Sequence, residues 1–193
     1  EGWIFTVWFV ALCYTTILYI YRKDPALLAE RYKQPGSANQ QGWDRYVVYA
    51  LVLGFLAWIV LMPLDARRFR WTTGFPLWLK AVGFLALTGS AFLFFRSYVD
   101  NTFLSPLVRV QTDRQQRVVS TGVYGVVRHP MYLAAALLFI GTPLLLGSLL
   151  GLALGVALIL LLVGRIIGEE RLLAQELEGY EEYRTRVRYR LIP

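Results

Sequence analysis

Long uninterrupted apolar runs dominate the chain and predict membrane-spanning helices. A bilayer core about 30 Å thick needs about 20 helical residues at about 1.5 Å each. Only Gly147 and Ser148 separate the last two runs, so these two must form an antiparallel helical hairpin. The pattern therefore predicts an all-α integral membrane protein with five transmembrane helices, at residues 3–21, 46–62, 75–95, 130–146 and 149–167.

Two polar segments, residues 96–129 and 168–193, are long enough to carry chemistry, and with five spans they lie on the same membrane face. The second segment has apolar residues at a helical spacing, at Leu173, Leu177, Tyr180, Val187 and Leu191. This stripe predicts an amphipathic tail helix, with Gly179 as its weak point. Two interpretations stay open, a helix lying at the membrane interface and a lid that closes over a site.

Composition and net charge support the membrane assignment. The chain is 56% apolar and only 17% charged, whereas soluble domains average about 45–50% apolar and about 25% charged. On a soluble protein the net charge of +7 would suggest nucleic-acid binding, but basic loops at an anionic lipid surface explain it here. We therefore expect membrane lipids as partners and no nucleic acid.

The basic residues also predict the orientation of the helices. With five spans, residues 22–45, residues 96–129 and the tail from Arg165 share one face and carry 16 of the 20 Lys and Arg residues. The positive-inside rule makes this face and the C-terminus cytoplasmic. The basic stretch from Asp65 to Arg70, on the opposite face, is the one local conflict. We expect a multi-pass protein of the plasma (inner) membrane if the source is bacterial.

The scarcity of cysteine and histidine excludes several kinds of site. Cys13 is the only cysteine, so no internal disulfide can form. His129 is the only histidine, which excludes metal sites built on histidine pairs, and we expect no metal site. A Ser-His-Asp triad would have to use that one ring.

The start of the fourth helix carries the first chemical signal. Proline is favoured at the first helical position, so Pro130 makes His129 an N-cap-like residue beside backbone N–H groups that have no intrahelical partner. Those donors and the helix dipole suit a carboxylate or a phosphate. Arg128 adds a cation and Tyr132 a hydroxyl. A ligand site and an ordinary cytoplasmic helix start both fit this stretch.

The end of the fifth helix carries the second signal. Arg165 and Glu169 are four residues apart and project from nearly the same face. Charges this close to the hydrocarbon are costly unless they are paired or solvated, and they are functional candidates. An intrahelical ion pair between them is the alternative explanation. The hairpin brings both signals to one membrane face, so we expect His129 and Tyr132 to share a pocket with Glu169.

The combined motif is Val118-Val-x-x-Gly122-x-Tyr124-x-x-x-Arg128-His-Pro-x-Tyr132, then Arg165-x-x-x-Glu169-Glu170, then Gly179-Tyr-x-x-Tyr183. It resembles the isoprenylcysteine carboxyl methyltransferase family, within a wider membrane methyltransferase group that includes phospholipid N-methyltransferases. The resemblance implies S-adenosylmethionine as methyl donor, buried under the C-terminal segment, with a lipid-like acceptor reaching it from the bilayer. It divides the chain into three N-terminal transmembrane helices, residues 1–95, and a cofactor-binding methyltransferase half, residues 96–193.

The resemblance also implies roles for individual residues. Arg165 faces the acceptor, and we expect Arg165, Glu169, Glu170 and Arg128 to be the catalytic residues. A carboxylate acceptor needs no general base, whereas an amine needs a proton acceptor such as Glu169 or Glu170. The implied cofactor-binding residues are Gln111, Gln116, Arg117, Val118, Val119, Gly122, Tyr124, His129, Pro130, Met131, Tyr132 and Glu169.

The expected reaction is O-methylation of a carboxylate of prenylcysteine type, on a lipid or prenylated small molecule. Three alternatives stay open: methylation of a lipid amine or small thiol, an NADPH-dependent sterol-type membrane reductase with a similar C-terminal half, and a non-catalytic membrane scaffold. Gly147, Gly151 and Gly155 form a row of small residues that favours close packing of the hairpin on itself or a dimer face.

Overall fold

The computed structural model describes residues 2–37 and 39–193, and within these ranges the chain is helical and contains no β-strand. The predicted all-α class is confirmed. A π-helical turn, Leu64–Phe69, continues α3, and short 3-10 turns lie at Thr112–Arg114 and Gly122–Gly125. The α-helices are α1 (Gly2–Lys23), α2 (Pro25–Arg31), α3 (Gly42–Pro63), α4 (Leu77–Asp100), α5 (Pro130–Leu146), α6 (Leu149–Glu176) and α7 (Tyr180–Arg186).

Four of the described segments are long and apolar enough to cross a membrane, and they are Phe5–Lys23, Gly42–Phe69, Leu77–Asp100 and Leu149–Glu176. The fifth apolar helix, α5, is shorter at 17 residues and has the predicted bounds. By contrast, α6 continues past the predicted end at residue 167 to Glu176. Glu169 and Glu170 are therefore helical residues, and they belong to the same continuous helix as the apolar span.

The predicted hairpin is confirmed, and its turn is built by two residues. Gly147 has φ 76, a left-handed conformation that ends α5 and that glycine adopts without steric cost. The Ser148 hydroxyl accepts a hydrogen bond from the Gly151 N–H at 2.9 Å and so caps α6. The same hydroxyl donates to the buried Asp65 carboxylate at 2.6 Å, which fixes the turn to the end of α3.

Helix α5 is central, since it packs between α4 and α6, while α3 packs on α6 and also contacts α5. Glycines allow these close approaches: a side chain at Gly155 would collide with the Phe139 backbone in α5, and one at Gly151 would collide with Met62 in α3. Trp58 of α3 is buried and donates its indole N–H to the Gly151 carbonyl at 2.9 Å. Packing within the chain thus accounts for Gly151 and Gly155.

The polar segments collect at the two ends of this bundle as the predicted spans require. At one end, the Gln41 N–H donates to the Val108 carbonyl at 3.0 Å, and the Arg128 N–H donates to the Tyr189 carbonyl at 2.9 Å. Residues 24–37, 39–41, 101–129 and 177–193 therefore meet there, and we call this the site end. The opposite end, which holds residues 64–76 and the turn at 147–148, we call the hairpin end.

The predicted amphipathic tail helix is interrupted at its predicted weak point. Gly179 has φ 80, which no helix interior accommodates, so α6 stops at Glu176 and the short helix α7 begins at Tyr180. After Arg186 the chain contains neither helix nor strand. The apolar stripe is nevertheless buried, because Tyr180, Tyr183 and Val187 form a cluster against Val118 and residues of α6. The tail therefore covers the site end and does not lie free at the interface.

Candidate functional site

A cavity of about 440 Å³ lies at the site end and continues into the helix bundle. This volume falls in the range of about 300–1,000 Å³ that is typical of small-molecule and cofactor sites. Most of the predicted site residues line it, and these are Gln116, Arg117, Val118, Val119, Tyr124, Arg128, His129, Pro130, Met131, Tyr132, Arg165 and Glu169. The hairpin therefore brings both predicted signals to one pocket.

The start of α5 forms one wall of the polar part of the cavity. His129 is the N-cap residue and Pro130 the first helical residue, as predicted. The tail is paired with this turn: the His129 N–H donates to the Arg190 carbonyl at 2.9 Å, and Arg128 Nη1 donates to the Val187 carbonyl at 2.7 Å. The tail thereby excludes solvent from one side of the pocket.

Glu170 does not line the cavity, contrary to its expected catalytic role. Its carboxylate is buried and accepts hydrogen bonds from Arg128 Nε at 2.8 Å and Arg190 Nε at 2.9 Å. His129 Nε2 lies 3.2 Å from the same carboxylate. Glu170 therefore anchors the start of α5 and the tail to α6.

Glu169, the preceding residue, is placed differently. It is half-buried, lines the cavity, and accepts a hydrogen bond from the Tyr132 hydroxyl to Oε2 at 2.6 Å. Its Oε1 atom has no hydrogen-bond partner, and its carboxylate has no cation within ion-pair distance, among residues 2–37 and 39–193. A carboxylate of this kind suits a positively charged ligand group.

Two further predicted cofactor residues also lie outside the cavity lining. Gln111 is buried, and its amide oxygen accepts a hydrogen bond from Arg114 Nη1 at 2.8 Å, so it holds the connecting segment together. Gly122 has φ 58, and the Asp100 carboxylate occupies the space where a side chain would be. Both residues shape the wall behind the pocket and make no direct contribution to its surface.

Arg165 lines the cavity but does not form the intrahelical ion pair with Glu169 that we considered. Its Nε donates to Asp44 Oδ1 at 2.7 Å and its Nη2 to Asp44 Oδ2 at 3.2 Å. Asp44, in the first turn of α3, is fully buried. Sequence reasoning missed this residue, although a single carboxylate directly before the second apolar run was a usable signal.

A second buried ion pair lies beside the first. Arg109 lines the cavity and donates from Nε and Nη2 to the Glu30 carboxylate of α2, at 2.9 and 2.8 Å. Burial alone would raise the pKa of Glu30, but hydrogen bonds from Arg109, Lys33 and Ser105 lower it to about 2. The Glu30 carboxylate is therefore charged at neutral pH and fixes α2 to the connecting segment.

The inner part of the cavity is apolar. Side chains of α3, α5 and α6 line this part, together with Phe94 of α4. Val52 and Leu56 of α3 line the cavity and are about half exposed. The apolar lining consists of Val48, Leu51, Val52, Phe55, Leu56, Phe94, Ala135, Phe139 and Leu162.

A buried hydroxyl gives an independent indication of a ligand. Tyr180 lines the cavity, and its hydroxyl group has no hydrogen-bond partner in the part of the chain that the structure describes. Buried polar atoms are normally satisfied, and each exception needs an explanation. A polar ligand in the cavity would supply the missing partner.

The comparison with protein families agrees with this geometry. The sequence model of the phospholipid methyltransferase family matches residues 78–178, which is more than half of the chain. The matched range contains nearly all of α4, all of α5 and α6, and most of the polar cavity lining. No curated protein sequence matched the chain. The chain belongs to the phospholipid methyltransferase family, so the wider membrane methyltransferase group expected from the motifs is confirmed.

Proposed function

We propose that this member of the phospholipid methyltransferase family transfers a methyl group from S-adenosylmethionine to the carboxylate of a lipid-like acceptor of prenylcysteine type, at the cytoplasmic membrane face. One observation carries the proposal: a single cavity joins a polar part lined by the motif residues to an apolar part lined by side chains of the predicted membrane spans, of which Val52 and Leu56 are about half exposed. A nucleoside-containing donor and an amphiphilic acceptor are the pair of ligands that such a cavity suits.

The polar part fits the donor chemically. Bound S-adenosylmethionine supplies a methyl group on a positively charged sulfur. Glu169 offers a carboxylate oxygen that has no protein cation beside it, which favours a cationic group there. The unsatisfied hydroxyl of Tyr180 suits the polar groups of a nucleoside. Gln116, Arg117, Val118 and Val119 supply the facing wall.

The residues of the chain then act mainly by positioning. A carboxylate acceptor is already an anion, so no proton has to be removed before it attacks the methyl group. Arg165 binds and orients this anion at the junction of the polar and apolar parts. The tail excludes water through its backbone pairing with Arg128 and His129, which keeps the charged groups in a site of low dielectric.

A lipid amine is the second candidate acceptor, and one contact favours it. The Tyr132 hydroxyl and the Glu169 carboxylate lie 2.6 Å apart at the cavity surface and provide a proton acceptor. An amine must lose a proton on methylation, whereas a carboxylate has none to lose. The two acceptors therefore predict different consequences of removing the Tyr132 hydroxyl: Tyr132→Phe should spare carboxylate methylation and slow amine methylation.

The direct test uses the purified protein in lipid nanodiscs with methyl-labelled S-adenosylmethionine. The acceptors are a farnesylated cysteine analogue, its methyl ester, phosphatidylethanolamine and a small thiol. We expect label in a base-labile ester with the free carboxylate only. Base-stable label in phosphatidylethanolamine or the thiol contradicts O-methylation. Saturable NADPH binding without methyl-donor binding contradicts methyl transfer altogether and supports a reductase.

A further inference from the structure

The fully buried carboxylate of Asp44 lies in α3, outside residues 78–178 of the family match. We propose that Asp44 is a positioning residue that sets the orientation of the Arg165 guanidinium toward the methyl acceptor. This inference rests on the proposed function, because it assumes that Arg165 binds the acceptor. On this inference, a residue in the N-terminal half of the chain helps to orient the methyl acceptor.

The hydrogen bonds of Asp44 come from three different segments of the chain. Its Oδ1 accepts from Arg165 Nε of α6 at 2.7 Å. Its Oδ2 accepts from the Val108 N–H of the connecting segment at 2.8 Å and from Gln40 Nε2, just before α3, at 2.7 Å. Both oxygens of this carboxylate therefore have donors, and contacts to separate segments hold the group in position.

This fixed carboxylate leaves the guanidinium one free edge. Arg165 Nε and Nη2 both donate to Asp44, and Nη2 also donates to the Pro106 carbonyl at 2.6 Å. Nη1 donates to no residue that the structure describes. The guanidinium carbon lies 5.9 Å from the centre of the Tyr132 ring, which bounds it on the side of α5. Nη1 is thus the donor that remains for an anion in the cavity.

The α3 helix is held firmly enough at this point to act as a reference. The Trp43 ring fills the space where a side chain at Gly168 of α6 would be, so this ring packs directly on the α6 backbone. Trp43 and Asp44 are neighbours in α3, and Gly168 and Arg165 are three apart in α6. This contact therefore holds the start of α3 against α6 beside the pair of Asp44 and Arg165.

The neighbouring pair of Arg109 and Glu30 provides a matched control. Arg109 also lines the cavity, but its three nitrogens all donate to protein groups: Nε and Nη2 to Glu30, and Nη1 to Asn39 and Asp113 at 2.9 and 3.0 Å. It has no donor left for a ligand. Removing the Glu30 charge should therefore reduce stability without changing the use of the acceptor.

The experiment compares Asp44→Asn, Glu30→Gln and Arg165→Lys, all in nanodiscs. It also includes the double variant that combines Asp44→Asn with Arg165→Lys. S-adenosylhomocysteine binding is measured by calorimetry, and kcat and KM are measured for the acceptor. We expect Asp44→Asn to lower the acceptor kcat/KM by about 100-fold, because misplacing an orienting group by about 1 Å has effects of that size. Its affinity for S-adenosylhomocysteine should stay within about twofold of wild type, as for distant sites. Glu30→Gln should keep both the wild-type acceptor kcat/KM and the wild-type affinity for S-adenosylhomocysteine.

The double variant separates positioning from a structural role. If Asp44 acts through Arg165, the double variant loses no more than Arg165→Lys alone. Multiplied losses, or an Asp44→Asn protein with the wild-type acceptor kcat/KM, would overturn the inference. If Asp44→Asn does not fold, Asp44→Glu keeps the charge and moves the carboxylate by one methylene. It should reduce acceptor kcat/KM at unchanged cofactor affinity, and wild-type values for it overturn the inference. A wild-type protein that methylates no acceptor contradicts the proposed function instead.

Discussion

The site end and the hairpin end of the bundle each contain a buried carboxylate, but the donors that satisfy it differ in kind. At the hairpin end, Asp65 accepts from neutral groups, the Thr72 and Ser148 hydroxyls and the N–H groups of Thr72 and Leu150. At the site end, Glu170 accepts from Arg128 and Arg190 and lies beside His129.

This difference singles out Glu169. Neutral donors are sufficient to fix a turn, whereas the site end carries guanidinium groups that already neutralise Glu170, Asp44 and Glu30. Glu169 is the one acidic residue that lines the cavity within the described ranges, and its hydrogen-bond partner, Tyr132, is neutral. The fold thus leaves one carboxylate in the pocket without an ion-pair partner, which suits a cationic methyl donor.

The largest expected effect follows from removing this charge. Glu169→Gln keeps the shape of the side chain and the hydrogen bond from Tyr132 but deletes the charge. We expect S-adenosylmethionine binding to weaken by about 2–5 kcal/mol, the cost of removing one member of a desolvated charge pair. Calorimetry in nanodiscs measures it. Unchanged affinity would mean that the uncompensated carboxylate has no part in donor binding.

The next effect concerns the anchor at the site end. Glu170→Gln leaves the buried Arg128 guanidinium without its carboxylate, and breaking such a pair costs about 3–5 kcal/mol. We expect lower thermal stability, with weaker donor binding as a secondary result of a loosened tail. A fluorescence-detected melting curve measures the thermal stability. A melting temperature equal to wild type would show that the tail is held without this ion pair.

At the hairpin end, the corresponding change is Asp65→Asn. The partners of Asp65 are neutral and no buried cation is left unpaired, so we expect a smaller loss of about 1–3 kcal/mol. Donor affinity should not change, because Asp65 lies at the end of the bundle opposite the cavity. Measuring melting and donor binding on the same sample checks both points, and a drop in donor affinity would remove the distinction between the two ends.

The smallest expected effect is the pH dependence that Glu30 confers. Its pKa of about 2 is below the ordinary value of 4.5, so its stabilising contribution is complete above about pH 5 and is lost as the pH falls toward 2. At about pH 3.5 the loss amounts to about 1 kcal/mol. The stability difference between wild type and Glu30→Gln, measured from melting curves, should narrow by about 1 kcal/mol between pH 5 and 3.5. A constant difference between them would contradict the lowered pKa.

Local sequence rules were sufficient for the elements that define the site. Pro130 after His129 marked the start of α5, and Gly147-Ser148 marked the hairpin turn, because each of these residues has a strong intrinsic backbone preference. The hairpin then required the motif residues of α5 and α6 to share one end. The sorting of basic segments to that end followed from the same count of spans.

Long-range pairing could not be predicted in this way. Asp44 and Arg165 are separated by 121 residues and Glu30 and Arg109 by 79, and no periodicity links such positions. Gln111 and Gly122 were assigned to the cofactor by motif, yet they lie behind the cavity lining. Gln111 is hydrogen-bonded to Arg114, and Gly122 packs against the Asp100 carboxylate. Spacing identifies the face on which a residue lies, whereas contacts between segments depend on the packing of the whole bundle.

The central claim is that the start of α5 and the end of α6 bind one methyl donor together, and a structure of the protein with bound S-adenosylhomocysteine tests it most directly. We predict the ligand in the 440 Å³ cavity, in contact with Tyr124 and Glu169 and covered by the tail. Ligand density outside this cavity, or in contact with only one of the two helices, would contradict the account.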